Sequence, residues 1–250
     1  MPRRPPSPIF ATMDATFADN ASTANPGPDF RHVEAWIFDL DNTLYPASSD
    51  LFAQIDGKMT AFVQDLLGLS RDDARALQKS YYRDHGTTLN GLMRLHGVDP
   101  EDFLGFVHDI DLTALAPDPR LSAAIARLPG KRYVFTNGCR NHAARVLARL
   151  ALDAMFDEVW DIRTTVWRPK PDTQAYRDVL ERIDAMPARA AMFEDAARNL
   201  VPAHQLGLTT VWLRNGSVWS KQGPEHPIAQ PEHIDYETED LAVFLHSIRI

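Results

Sequence analysis

A single cysteine, Cys139, among 250 residues leaves no internal disulfide possible, so a reducing cytoplasm is the default setting. Long hydrophobic runs are missing as well, and none approaches the uninterrupted length of a membrane span. The stretch from Met1 to about Asp29 has no apolar segment of the secretory kind, and Asp14 and Asp19 argue against a transit peptide. Pro2, Pro5, Pro6, Pro8, Pro26 and Pro28 stand there among small polar residues, and residues 1–31 are expected to form a disordered tail. Met13 is a candidate alternative start, which N-terminal sequencing would decide. Positive charge is scarce too. Lys and Arg number 26 against 34 Asp and Glu, a net charge of −8, and no basic stripe appears. That excludes a nucleic acid polymer as a bulk partner but leaves an anionic small substrate open, because a metal or local dipoles can invert the field inside a pocket.

What remains is ordinary globular composition, 44% hydrophobic and 24% charged, of a length that suits one large domain or a core with an insert. Apolar β-type runs occur at Val33–Phe38, Tyr133–Phe135, Ala190–Phe193 and Thr209–Leu213, with weaker ones at Phe156–Trp160 and His233–Tyr236. Helix-period segments lie between them, such as Ala143, Val146, Leu147 and Leu150, or Tyr176, Val179, Leu180 and Ile183. A closing helix is expected at about Asp240–Ser247. This alternation predicts an α/β fold: a Rossmann-like parallel sheet with helices on both faces.

The alternation stops between Leu44 and Asp118, where only helical patterns appear. Ile55, Met59, Phe62, Val63, Leu66 and Leu67 share one face, and Phe103, Phe106, Val107 and Ile110 another. Ser70 with Asp73 has the form of a capping box, and Asp99-Pro100 places a cap before a first-turn proline. So long a helical stretch exceeds an ordinary crossover. The expected domains are therefore a core at 32–44 and 118–250 and an all-helical cap at 45–117. Pro224, Pro227 and Pro231 mark an irregular segment near the C-terminus.

Four polar clusters follow strands or lead into helices. Asp39 and Asp41 end the first strand, starting out on one side because a strand has period two. Two carboxylates at the end of a buried strand are costly unless something cationic binds there. Thr136-Asn137-Gly138 supplies a hydroxyl, backbone N–H groups and a glycine at a helix entrance, a cradle for phosphate oxygens. Lys170 precedes Asp172, the expected cap of the next helix, so its ammonium would reinforce the pull of that N-terminus on an anion. Glu194-Asp195 closes another apolar strand, and oxygen-only ligands from two strand ends suit Mg²⁺. Taken singly, these are a turn, a turn, a surface lysine and a helix cap. Together they fall at one edge of one sheet, where α/β proteins bind ligands.

The run Phe38-Asp39-Leu40-Asp41-Asn42-Thr43-Leu44-Tyr45-Pro46 resembles the first motif of the haloacid dehalogenase superfamily, and Thr136, Lys170 and Glu194-Asp195 resemble its second, third and fourth in order. Residues 81–92, YYRDHGTTLNGL, and 193–200, FEDAARNL, resemble its pyrimidine 5′-nucleotidase-like branch. One departure is Asn199 where the superfamily often has an acid four positions after the metal-binding Asp; Asn199 is instead read as the cap of a helix with Pro202 in its first turn. The resemblance implies a phosphomonoesterase with Asp39 as nucleophile, passing through an aspartyl-phosphate, and Asp41 as acid and then base. It implies Mg²⁺ held by Asp39, the Asp41 backbone carbonyl and Asp195, with Glu194 the second acid. Thr136, Asn137 and Lys170 would hold phosphate oxygens. The expected substrate-binding set is Leu40, Asn137 and Gly138 in the core and Tyr82, Arg83, His85 and Thr88 in the insert. A small phosphorylated metabolite, first a pyrimidine nucleoside 5′-monophosphate, is the expected partner of a cytoplasmic monomer or homodimer that binds no membrane. Alternatives are a phosphoglycolate or sugar-phosphate phosphatase, a mutase, a dehalogenase (which does not need Asp41), and a phosphate-sensing or partner-binding module.

Overall fold

The computed structural model describes residues 27–214, 216 and 232–250; the expectations for residues 1–26 and for Pro224, Pro227 and Pro231 fall outside them. Its centre is a six-stranded parallel sheet formed by β1 (Ala35–Phe38), β2 (Lys131–Phe135), β3 (Glu158–Trp160), β4 (Ala190–Glu194), β5 (Thr209–Leu213) and β6 (Tyr236–Thr238). The strand order is β3-β2-β1-β4-β5-β6. β1 lies in the middle, Phe38 paired in register with Val134 on one side and Phe193 on the other. Every residue of β1 and β4 is buried, which is why these strands read as unbroken apolar runs rather than as alternation.

Odd and even residues of these strands serve two cores. Ala35, Ile37, Phe135, Ala190 and Met192 pack with α7 (Thr173–Arg182) and α8 (Ala197–Leu206). Trp36, Phe38, Val134, Phe193 and Val211 pack with α5 (Pro119–Ala126), α6 (Arg140–Arg149) and α9 (Leu241–Ser247). The chain leaves β1 toward β2 on one side and later returns to β4 on the other. The ends of β1 and β4 therefore border the crevice where an open α/β sheet binds its ligands.

Between β1 and α5 lies the helical insert: α1 (Leu51–Leu67), α2 (Arg71–His85), α3 (Thr88–His96) and α4 (Pro100–Val107). Local chemistry sets its boundaries. Ser70 accepts from the Asp73 N–H and returns its own proton to the Asp73 carboxylate at 2.7 Å. Thr87 caps α3, and Asp99 caps α4 ahead of Pro100. Gly91 lets α2 and α3 meet closely, since a Cβ there would lie 2.5 Å from Tyr81. Asp118 caps α5, at the position where the sequence places the return to the core.

Several boundaries differ from expectation, among them β3, which begins at Glu158 rather than Phe156. The last strand begins at Tyr236, not His233, because Thr210 ties down the residues before it: its hydroxyl reaches the His233 carbonyl at 2.9 Å and its N–H the Asp235 carboxylate at 2.8 Å. Residues 29–31, assigned to the tail by the sequence, also belong to the folded core. Phe30 is fully buried, stacked on Trp36 at 5.9 Å and met edge-on by Phe244, while Asp29 pairs with Arg249. Phe30→Ala is expected to cost about 3–5 kcal/mol in urea unfolding; a loss under about 1 kcal/mol would show that this ring is not part of the core.

Candidate active site

Asp39 extends β1 by one backbone bond, its N–H donating to the Phe193 carbonyl at 2.9 Å. Beside it stands Lys170, 1% exposed, and its ammonium has three protons to place. Nζ lies 2.7 Å from Asp39 Oδ1, 2.6 Å from Glu194 Oε2 and 2.8 Å from the Phe135 carbonyl. The ammonium is thus the hub of the site rather than an open phosphate hook, with its donors consumed by β1, β2 and β4. Asn137 fixes the loop that carries it: the Asn137 side chain accepts from the Lys170 N–H at 2.7 Å and donates to the Lys170 carbonyl at 3.1 Å.

One ammonium faces three buried carboxylates, since Asp39, Glu194 and Asp195 have ligand oxygens within 4.8 Å of one another. Burial first, and then the Glu194 charge, push Asp39 up to about 7 against the pull of Lys170. Asp195 is raised well above its ordinary range by burial and by Glu194. Glu194 is already engaged by Lys170 and by the Ala196 N–H at 3.2 Å. The uncompensated negative charge and all-oxygen donor set fit a hard divalent cation.

Asp41 lies apart from this cluster. Beyond the end of β1, the Leu40 carbonyl accepts from Leu44 N at 3.0 Å in a turn that runs through Asn42 at φ 62°. The Asp41 carboxylate turns to the Tyr45 hydroxyl at 2.7 Å and His142 Nε2 at 2.8 Å. Burial pushes its pKa up, but attraction to His142 and the hydrogen bonds from His142 and Tyr45 outweigh this and hold it at about 2. Thr136 Oγ1 accepts from the Gly138 N–H at 2.9 Å, which turns the loop back around a small concavity.

A cleft opens above these groups, lined from the core by Asp39, Asp41, Thr136, Asn137, Gly138, Lys170, Glu194 and Asp195. From the insert it is lined by Phe52, Met59, Gln78, Tyr82, Thr88 and Phe103, among others. Tyr82 faces it beneath the Arg198 guanidinium, 4.0 Å from the ring centre, and Arg198 also reaches the Gly86 carbonyl. Three expected substrate contacts are not among the lining residues. Leu40 is fully buried in the core. Arg83 is exposed, one residue and about 100° of helix beyond Tyr82. His85 packs 6.0 Å from Tyr81, which itself bonds His96 at 2.6 Å inside the insert. Nor does Asn199 cap α8. Ala196 holds that place, Asn199 is buried in the first turn, and Pro202 lies inside the helix.

Sequence reasoning missed His142, His108 and the pairing of Tyr45 with Asp41. The only available signal for His142 was its place in the first turn after Thr136-Asn137-Gly138; for His108 there was none.

The raised Asp39 predicts a pH dependence. A carboxyl pushed from about 4 to about 7 stabilises the metal-free fold below pH 4, and that contribution is lost as pH rises through 7. Buried His108, pushed down to about 3 by burial and by His142, works in the opposite direction. Comparing wild type with Asp39→Asn isolates Asp39. In chelator, the stability of wild type relative to the variant is expected to fall between pH 4 and 8 in urea unfolding; a difference that grows with pH would contradict the assignment.

A protein-family model for haloacid dehalogenase-like hydrolases matches residues 33–207. Phosphate metabolism protein 8 of Saccharomyces cerevisiae is 30% identical over 146 residues, 54% of this chain but only 44% of its own length. A glyceraldehyde 3-phosphate phosphatase of Methanopyrus kandleri is 27% identical over 74% of this chain and 85% of its own. Among solved structures, a haloacid dehalogenase-type phosphatase from Thermococcus onnurineus superposes with a TM-score of 0.57 at 19% identity, over 87% of this chain and 100% of that one, which speaks for the fold alone. With that model covering more than half of the chain, Asp39, Thr136, Lys170 and Asp195 included, the chain belongs to the haloacid dehalogenase-like hydrolases.

Proposed function

We propose that the protein is a Mg²⁺-dependent phosphomonoesterase that works through an aspartyl-phosphate on a small phosphorylated metabolite. The observation that carries this reading is the pairing of two chemically different carboxylates at one strand end. Asp39 lies in an acid-rich, cation-demanding cluster, and Asp41 in a separate hydrogen-bonded seat beside it. A halide-releasing enzyme has no use for the second, whereas ester cleavage needs a proton for the leaving oxygen.

Asp39 and Asp195 would hold the cation together with the Asp41 carbonyl; Glu194, occupied by Lys170, serves as the second acid. When bound, the cation supplies the positive charge that lets an anionic nucleophile approach a phosphate dianion. Asp39 attacks phosphorus as the ester oxygen leaves. Asp41 gives that oxygen its proton and then takes one from the water that opens the acyl phosphate. The Thr136 hydroxyl and the Asn137 N–H bind non-bridging oxygens as charge spreads over them. Lys170, its donors engaged, holds Asp39 in line for attack.

A nucleoside 5′-monophosphate is the first substrate reading. Phe52, Met59, Tyr82 and Phe103 offer apolar faces for a base, while Gln78 and Thr88 offer polar edges. A second reading, a three-carbon sugar phosphate, draws on the archaeal relative, which matches along most of its length. Among the described residues no helix is long and apolar enough to cross a membrane, and we place the activity in the cytoplasm.

The test is phosphate release from UMP, CMP, AMP, glyceraldehyde 3-phosphate and phosphoglycolate, with and without Mg²⁺. Release is expected only with the metal, and Asp39→Asn should lower it by roughly 10³-fold or more while leaving the fold intact. Turnover undiminished in that variant, or halide release from a 2-haloacid in place of phosphate release, would overturn the reading.

A further inference from the structure

Core helix α6 meets the strand-end turn through a buried side chain. His142 stands in the first turn of α6, its side chain wholly buried, and Nε2 lies 2.8 Å from Asp41 Oδ1. The Tyr45 hydroxyl donates to that same oxygen at 2.7 Å. With both donors on Oδ1, Oδ2 is left as the oxygen that carries and delivers a proton. Resting on the phosphatase reading above, we infer that His142 is a positioning residue, which with Tyr45 locks the Asp41 rotamer so that Oδ2 meets the leaving oxygen.

The surroundings of His142 are arranged to hold it still. Cys139, at the N-cap of α6, accepts from the His142 N–H through sulfur at 3.4 Å. His108, from the end of the insert, stacks on the imidazole with ring centres 4.4 Å apart and planes 12° apart. His108 Nδ1 is in turn 3.2 Å from Cys139 Sγ, and its carbonyl accepts from Arg145 of the same helix at 2.9 Å. Gly138 makes room for the ring: a Cβ there would lie 3.4 Å from His142 Cδ2 and 3.3 Å from Thr136 Oγ1. The insert thus reaches through His108 to the acid of the core, and the phosphate cradle and the acid's support share one loop.

The step this serves balances simply. As Asp39 forms its bond to phosphorus, the phosphorus–ester oxygen bond breaks, and the proton brought in by the substrate monoanion passes through Asp41 Oδ2 to the departing oxygen. Water then attacks the acyl phosphate, gives its proton back to Oδ2, and the Asp39–phosphorus bond breaks. Only a poor leaving group needs that first proton. The value of kcat/KM covers the steps up to departure of the leaving group, so it isolates proton delivery from the later hydrolysis.

The experiment compares kcat/KM for an alkyl phosphate and for 2,4-dinitrophenyl phosphate in wild type, His142→Ala, His142→Gln and Tyr45→Phe. His142→Ala is expected to lose about 10–100-fold on the alkyl ester, a share of what general acid catalysis supplies, and less than about threefold on the activated aryl ester. His142→Gln, whose amide N–H replaces the Nε2 donor, is expected to recover to within about fivefold of wild type. Tyr45→Phe should split the two substrates in the same direction as His142→Ala. Equal losses on both esters, or none on either, would overturn the inference while leaving the phosphatase reading standing. A wild type that cleaves neither ester would defeat that reading, and this inference with it.

Discussion

One buried ammonium surrounded by too many carboxylates organises this molecule. Lys170 binds the end of β1 through Asp39, the end of β2 through the Phe135 carbonyl and the end of β4 through Glu194. Removing one partner of such a buried network typically costs about 3–5 kcal/mol, so these bonds fix the three strand ends relative to one another. Lys170 does not balance the charge. With Asp195 also buried and raised, the cluster is left to hold either protons or a further cation, which is the electrostatic basis of the metal site proposed above.

Around this hub the insert and the core meet through a few polar seams. Arg163 forks onto Glu101 of α4 while holding Asp161 at 2.8 Å. Arg198 lies over Tyr82, and His108 stacks on His142. Two of these seams border the cleft directly, because Tyr82, Arg198 and His108 all line it. The acid Asp41 is tied to this framework, not to the cation cluster. The two carboxylates of the first motif therefore acquire different environments within three residues: Asp39 is pushed up and Asp41 held down. Neighbouring acids that diverge in this way stand in separate environments, the setting in which one site can give two carboxyls different tasks.

The parallel sheet and the carboxylates at its edge were legible because each depends on local pattern. Buried strands give unbroken apolar runs, and a polar cluster right after such a run lands at the carboxyl edge. The insert was legible as helical for the same reason, but its cleft-facing residues only in part: Tyr82 and Thr88 line the cleft, Arg83 and His85 do not. Tyr82 and Arg83 are neighbours in sequence yet differ by about 100° around a helix, and choosing between them requires the docking angle of α2. His142 with Asp41 and Arg198 with Tyr82 join positions about a hundred residues apart, a separation no periodicity reports. Lys170 was found by its position, but its bonds to Asp39, Glu194 and the Phe135 carbonyl were not, because only the packed site brings those groups together. Asn199 was misplaced because a favourable cap residue ahead of a proline resembles a helix start, whereas α8 starts two residues earlier, at Ala197.

The central claim is that the carboxylate cluster around Lys170 is ionised fully only with a cation in place. Calorimetric titration of Mg²⁺ into chelator-stripped protein at about pH 6.5, in two buffers of different protonation heat, counts the protons that leave on binding. Stoichiometric binding is expected, with release of roughly half a proton to one proton per ion, and loss of both in Asp195→Asn. Absence of binding, or binding with no proton release, would contradict the claim.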